Sequence, residues 1–275
     1  VPELPEVETI ARGLHARVRG KRIAKVHIAW QRTVDARSLP LSELVGKQIT
    51  GVGRIGKYVA IQLSGGFTLA VHLRMTGQLL VGSLERRYDS SGTGDRKHER
   101  ARITFADASV LAFFDARKFG RMRLLHGDVV AQLGVGRDPL DPQLTADDLK
   151  EMLAGRRTPT KVWLLDQHRL SGIGNIYASE ALFYAGIRPR RAAGKLTAIE
   201  RSALLKSLRR VLRRAIRFGG SSLNDYVDSE GKQGGFQKQF AVYGRLGLPC
   251  LQCRGPVRRI VLAQRSTFYC STCQR

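Results

Sequence analysis

Apolar positions change period twice along this chain. Val7, Ile10, Leu14 and Val18 recur every three or four residues, which predicts an amphipathic helix. Pro5 suits its first turn, Glu6 and Glu8 suit the positive end of its dipole, and Gly20 suits its stop. From there to about residue 126 the period falls to two. Residues 22–30, 48–63, 67–81 and 101–125 carry alternating apolar side chains, with turn signals at Ser64-Gly65-Gly66 and Ala106-Asp107-Ala108. This predicts an antiparallel sandwich or barrel. Residues 85–100 are polar and rich in glycine, serine and charge, and are expected to form an exposed loop.

The period then lengthens again. Pro139 and Pro142 mark residues 134–144 as a linker. Thr145 with Asp148, and Thr197 with Glu200, read as capping boxes, and the helical pattern after the second runs to about Phe218. The fold class expected is α+β and multidomain: an N-terminal antiparallel β-sandwich with a flanking helix over residues 1–133, the linker at 134–144, helices over 145–240, and a cysteine-bearing hairpin over 241–275.

Charge adds a partner. The chain has 275 residues with 47 Lys and Arg against 23 Asp and Glu, a formal charge of +24 spread along its length. A folded protein with a basic surface fits a polyanion, nucleic acid first. Non-specific adhesion to acids is the bland alternative, and 43% hydrophobic residues argue against disorder. No run of about 18 apolar residues predicts a membrane span. With no segment resembling a secretory signal, a cytoplasmic location is expected. Nothing points to self-association, so a monomer is the default.

All four cysteines, Cys250, Cys253, Cys270 and Cys273, fall in a C-x2-C-x16-C-x2-C pattern near the end of the sequence. Four thiolates on two tight knuckles fit one tetrahedral zinc ion, structural because the site is closed. Disulfides are the alternative, disfavoured in a reducing compartment.

The opening Val-Pro-Glu-Leu-Pro-Glu-Val-Glu-Thr admits two readings. One is the helix start already described. In the other, Val1 is an initiator residue that is removed, and Pro2 becomes a secondary amine able to attack an electrophilic sugar carbon, with Glu3 beside it to carry protons.

Three stretches together resolve that choice. PELPEVET at the start, LLDQHRLSGIGNIYASEALFYAGIRP over 164–189, and CLQC followed by QRSTFYCSTCQ resemble, in order, the bacterial formamidopyrimidine-DNA glycosylases, base-excision enzymes for oxidised purines. The resemblance implies a helix–two-turn–helix domain ending in a zinc-finger β-hairpin, double-stranded DNA containing oxidised bases as partner, and a combined glycosylase and abasic-site lyase. It implies Pro2 as nucleophile, Glu3 as proton carrier and Lys57 near the reacting sugar. Met75, Arg117 and Phe119 would fill the gap left by an extruded nucleotide, an apolar wedge, a guanidinium and an aromatic plane. His72, Asn175, Tyr243 and Arg265 would contact phosphates. Residues 219–236 would form the loop that caps the extruded base, with Ser221, Ser222, Tyr226 and Glu6 as candidate lesion-pocket residues; Glu6 has a purely structural helix-start role as its alternative. Two other readings stand beside this one: a glycosylase of the same fold acting on oxidised pyrimidines, and a non-catalytic damage-binding protein.

Overall fold

The computed structural model describes residues 1–83, 96–222, 227–229 and 231–275. They form two compact units. One contains residues 1–134 and 218–235, the other 135–217 and 236–275.

The first unit opens with α1 (Leu4–Val18), whose buried face carries Val7, Ile10, Leu14 and Val18. Eight strands follow: β1 (Ile23–Ile28), β2 (Ile49–Ile55), β3 (Tyr58–Leu63), β4 (Phe67–His72), β5 (Gly77–Ser83), β6 (Glu99–Phe105), β7 (Ser109–Asp115) and β8 (Arg121–His126). They make two antiparallel four-stranded sheets, ordered β1-β6-β7-β5 and β2-β3-β4-β8. Ile61, Leu69 and Val71 of one sheet and Leu79, Ile103 and Phe113 of the other share a single apolar core, which α1 joins. Burying such side chains contributes roughly 1.5–3 kcal/mol each.

The expected exposed loop at 85–100 does not extend to Glu99 and Arg100. Residues 84–95 lie outside the described residues, but Glu99 and Arg100 are buried in β6. Their charges are absorbed locally: Arg102 Nη2 pairs with Glu99, and Arg100 Nε donates to the Asp115 carbonyl.

The strand connections position the site. β4 and β5 lie in different sheets, as do β7 and β8, so residues 73–76 and 116–120 both cross between sheets. Gly77 pairs with Asp115, and His72 pairs with Arg121. The two crossings therefore emerge side by side at one end of the sandwich.

A short helix α2 (Val129–Leu133) ends the first run of this unit. The second unit holds α3 (Ala146–Leu153), α4 (Thr160–Leu164), α5 (Asn175–Tyr184) and α6 (Ala198–Arg217). Both expected capping boxes are present: Thr145 with Asp148, and Thr197 with Glu200. The hairpin β9 (Val257–Leu262) and β10 (Arg265–Cys270) completes the unit. Its two-residue turn, Ala263-Gln264, has positive φ at both positions, as the twist of a tight hairpin requires.

The sequence grouped residues 218–235 with the helices; in the structure they pack with the β unit. The Gly235 amide donates to the Phe218 carbonyl at 2.9 Å, closing the segment, and the Ser221 amide donates to Glu6 at 2.7 Å. Gly220 lies between, at φ 81°, where a Cβ would stand 2.8 Å from a Glu6 carboxylate oxygen. Only glycine allows that approach.

Candidate active site and nucleic-acid interface

Pro2 and Glu3 are buried at the head of α1, beneath a Val1 that is 56% exposed. Glu3 is the N-cap. It forms a reciprocal capping box with Glu6, whose Oε2 accepts the Glu3 amide at 2.8 Å. The Pro2 nitrogen is thereby held just ahead of the helix's positive end. In this chain that nitrogen is an amide to Val1, and it becomes nucleophilic only once residue 1 is removed.

Glu6 is 2% exposed and uses both carboxylate oxygens on backbone donors, the Glu3 and Ser221 amides. Glu6 thus has the structural helix-start setting, and it also holds the Ser221 backbone. Ser222 Oγ accepts the Gly234 amide at 2.9 Å and pins the two ends of that segment together. Tyr226 lies outside the described residues.

Lys57 and Gly56 form the turn between β2 and β3, whose flanking residues Ile55 and Tyr58 pair. Tyr58 pairs in turn with His72, and their rings meet edge to face at 4.8 Å. Burial, followed by the charges of Arg74, Lys57 and the α-amino group, pushes His72 down to about 3. Its ring is therefore neutral at pH 7. Since Nδ1 accepts the Arg74 amide at 3.1 Å, the proton sits on Nε2, leaving a neutral N–H donor suited to a phosphate oxygen. The same electrostatics show that Lys57, His72 and the N-terminus share one basic locality.

At the end of the sandwich, Met75, Arg117 and Phe119 converge. Arg117 Nη1 lies 3.2 Å from Met75 Sδ, and its guanidinium carbon stands 5.1 Å from the Phe119 ring centroid. Met75 and Phe119 are 44% and 49% exposed, so neither is a core residue. What joins the two crossings is a residue that sequence reasoning missed. Asp115, fully buried, accepts the Thr76 hydroxyl, the Arg117 amide at 3.2 Å and the Gly120 amide at 2.6 Å. A carboxylate ending an apolar strand just before a glycine-closed turn was the available signal.

The second unit carries the other candidates. Gly174 is the N-cap of α5. Asn175 Nδ2 donates to the Ser266 carbonyl at 3.0 Å and to the Tyr243 hydroxyl at 3.4 Å. Arg265, adjacent to Ser266, is exposed at the start of β10. Asn175, Tyr243 and Arg265 thus belong to one locality. Two further residues missed from sequence hold it. Lys161, fully buried, donates to the Ser266 carbonyl and to Thr267 Oγ1. Glu180, also buried, accepts the Ala241, Val242 and Tyr243 amides at 2.8–3.0 Å. Desolvation raises the Glu180 pKa, against the opposing pull of those three amides. A charged residue on the apolar face of each helix was the signal.

The four cysteine sulfurs all lie within 4.8 Å of one another. Cys250 and Cys273 are 3.9 Å apart and Cys253 and Cys270 are 3.4 Å apart, too far for disulfides and right for thiolates around one ion. The Gly255 amide lowers Cys253 to about 7, while burial raises Cys273 to about 12; metal binding takes the thiolate form. Gln274 supports the knuckle, accepting the Cys270 amide and donating to the Ile187 carbonyl.

Comparison with known proteins agrees along the whole chain. Residues 1–122 match the formamidopyrimidine-DNA glycosylase N-terminal domain, 135–227 the H2TH domain of the same enzymes, and 247–275 the zinc finger found in FPG and IleRS. The formamidopyrimidine-DNA glycosylase of Chloroflexus aurantiacus is 42% identical over 278 residues, covering 100% of this chain and 98% of the relative. Among solved structures, wild-type Lactococcus lactis Fpg bound to N7-benzyl-Fapy-dG DNA and the same enzyme bound to DNA containing an oxidised pyrimidine each superpose with a TM-score of 0.87. Each is 32% identical, with full coverage of both chains. The chain belongs to the formamidopyrimidine-DNA glycosylase family.

Proposed function

We propose that this protein excises oxidised purines, 8-oxoguanine and formamidopyrimidines, from duplex DNA and then cuts the strand at the abasic site. The observation that carries the reading is a buried Pro2 directly ahead of α1, with Glu3 beside it as the N-cap, and Lys57 and neutral His72 in one basic locality with the N-terminus.

With residue 1 removed, the Pro2 nitrogen attacks sugar C1′ as the glycosidic bond breaks and the base leaves with its electron pair. Glu3 gives a proton to the ring oxygen, the sugar opens, and the proline nitrogen becomes an iminium. The iminium acidifies the C2′ proton. Its removal expels the 3′ phosphate, and a second elimination expels the 5′ phosphate; water then releases the proline. Lys57 serves at the reacting sugar and its phosphate. His72, Asn175, Tyr243 and Arg265 donate to phosphates, and Met75, Arg117 and Phe119 fill the vacated stack. Ser221, Ser222, Tyr226 and Glu6 belong to the pocket that receives the extruded base. One zinc ion on the four cysteines stabilises the hairpin and takes no part in bond breaking. The protein works as a monomer in the bacterial cytoplasm, on the nucleoid.

A second reading, excision of oxidised pyrimidines, draws support from the Lactococcus lactis complex with such a lesion. Cleavage of duplexes carrying 8-oxoguanine or thymine glycol separates the two. Faster cutting of 8-oxoguanine, leaving phosphate on both ends of the gap, supports the purine reading; preference for the glycol overturns it.

A further inference from the structure

Trp30 follows β1, and its surroundings tie it to the Met75, Arg117 and Phe119 cluster. The Ala29 and Trp30 amides donate to the Arg100 carbonyl at 3.0 and 3.2 Å. Arg100 is buried, and its Nε donates to the Asp115 carbonyl at 2.8 Å. Trp30 is thus fixed, through one residue, to the strand end from which Arg117, Lys118 and Phe119 depart.

The ring makes a second link. Lys118 Nζ stands 4.1 Å from the indole centroid, with Arg32 a more distant second cation at 5.9 Å. The indole Nε1 is buried with no hydrogen-bond partner among the described residues. An unpaired buried donor is unfavourable, so the ring is held by its faces and its backbone rather than by its polar edge. Lys118 has φ 60°, a left-handed conformation uncommon for a residue with a Cβ. Its amide donates to the Asp115 carbonyl and its carbonyl accepts Arg121 Nη1, so the backbone of the turn is closed on both sides. An ammonium over an indole face is held by the ring quadrupole. That contact fixes the direction of the one side chain lying between Arg117 and Phe119.

We propose that Trp30 is a positioning residue for the wedge. Its indole holds Lys118, which keeps the left-handed turn in place and makes Arg117 and Phe119 project together beside Met75. Trp30 acts through Lys118 and touches no reacting atom. The proposal rests on the reading that Met75, Arg117 and Phe119 enter the base stack, but it does not depend on the proline chemistry.

The test therefore uses binding alone. The full chain is titrated with a duplex carrying a tetrahydrofuran abasic analogue opposite 2-aminopurine, whose fluorescence reports insertion of the wedge, and with an undamaged duplex as control. Trp30→Ala is expected to weaken binding of the analogue duplex about two- to fivefold and to reduce the fluorescence change, with Trp30→Phe restoring most of both. Binding of the undamaged duplex stays unchanged. Lys118→Met reproduces the loss, and the Trp30→Ala/Lys118→Met double variant is no worse than either single one, because both remove the same contact. Equal weakening on both duplexes, or additive losses in the double variant, overturns the proposal and leaves Trp30 a structural residue. Absence of a 2-aminopurine response in the wild-type protein overturns the wedge itself, and the Trp30 proposal with it.

Discussion

Glu6 accepts the Ser221 amide at 2.7 Å through one oxygen and the Glu3 amide at 2.8 Å through the other. One buried carboxylate therefore joins the start of α1 to residues more than two hundred positions away in sequence. Replacing it tests whether the two are coupled. Glu6→Gln places an amide NH2 against one of two N–H donors, at a cost of roughly 1–3 kcal/mol. We expect a lower Tm and slower single-turnover cleavage in the same variant. A Gln variant that melts and cuts like the parent would show that the contact has no role.

Asp115 and the side chains it supports separate folding from recognition. Asp115→Ala leaves the donors of Thr76, Arg117 and Gly120 unpaired in a buried place and is expected to destabilise the first unit by about 2–4 kcal/mol. Met75→Ala and Phe119→Ala remove half-exposed side chains and should change stability by less than about 0.5 kcal/mol. They should nevertheless weaken binding to lesion-containing duplex more than to undamaged duplex. Thermal melts alongside binding titrations check both halves; equal weakening on the two duplexes would remove Met75 and Phe119 from the wedge.

His72 gives a pH dependence of definite sign. Its pKa falls from 6.5 in the unfolded chain to about 3 in the folded one, so between those values the unfolded state binds more protons. Stability is fully present above pH 6.5 and is lost as pH falls toward 3, by up to about 1.4 kcal/mol per pH unit from this group. His72→Gln should flatten that slope while weakening DNA binding at pH 7. An unchanged slope in urea melts across this window would show that His72 titrates normally.

Much of this organisation is legible in the sequence, for physical reasons. The 3.6-residue period of α1, the alternation of the strands and the Thr145-Asp148 box are local signals, and the structure realises each. The cysteine spacing is equally local, and the four sulfurs come together. Partnerships across long sequence separations are another matter. Nothing near Asp115 announces that its carboxylate serves Thr76, and nothing near Lys161 announces its bond to Thr267. Polar composition misled at Glu99 and Arg100 for the same reason. Glu99 and Arg100 are buried because Arg102 and the Asp115 carbonyl satisfy them, which no local window reveals.

Metal and salt report on the second unit and on the basic surface. The zinc ion should be present at one equivalent per chain. Chelation should abolish DNA binding while the melting transition of the β unit persists, because the apolar cluster that includes Cys250, Val257 and Cys270 belongs to the hairpin and its neighbours. Retained binding after full metal removal would contradict the finger's role. The logarithm of the binding constant should fall with the logarithm of salt at a slope near about −0.9 per phosphate neutralised, and a slope near zero would rule out binding along the DNA backbone.

The central claim is that the Pro2 nitrogen forms the bond to the sugar. Borohydride reduction during reaction with a duplex carrying one 8-oxoguanine opposite cytosine, followed by mass-spectrometric mapping, tests it most directly. The account predicts a covalent adduct on Pro2 in chains that have lost Val1, and none when Pro2 is replaced by glycine and residue 1 is retained. An adduct on Lys57 or another lysine, or strand cleavage by chains that keep Val1, would contradict it.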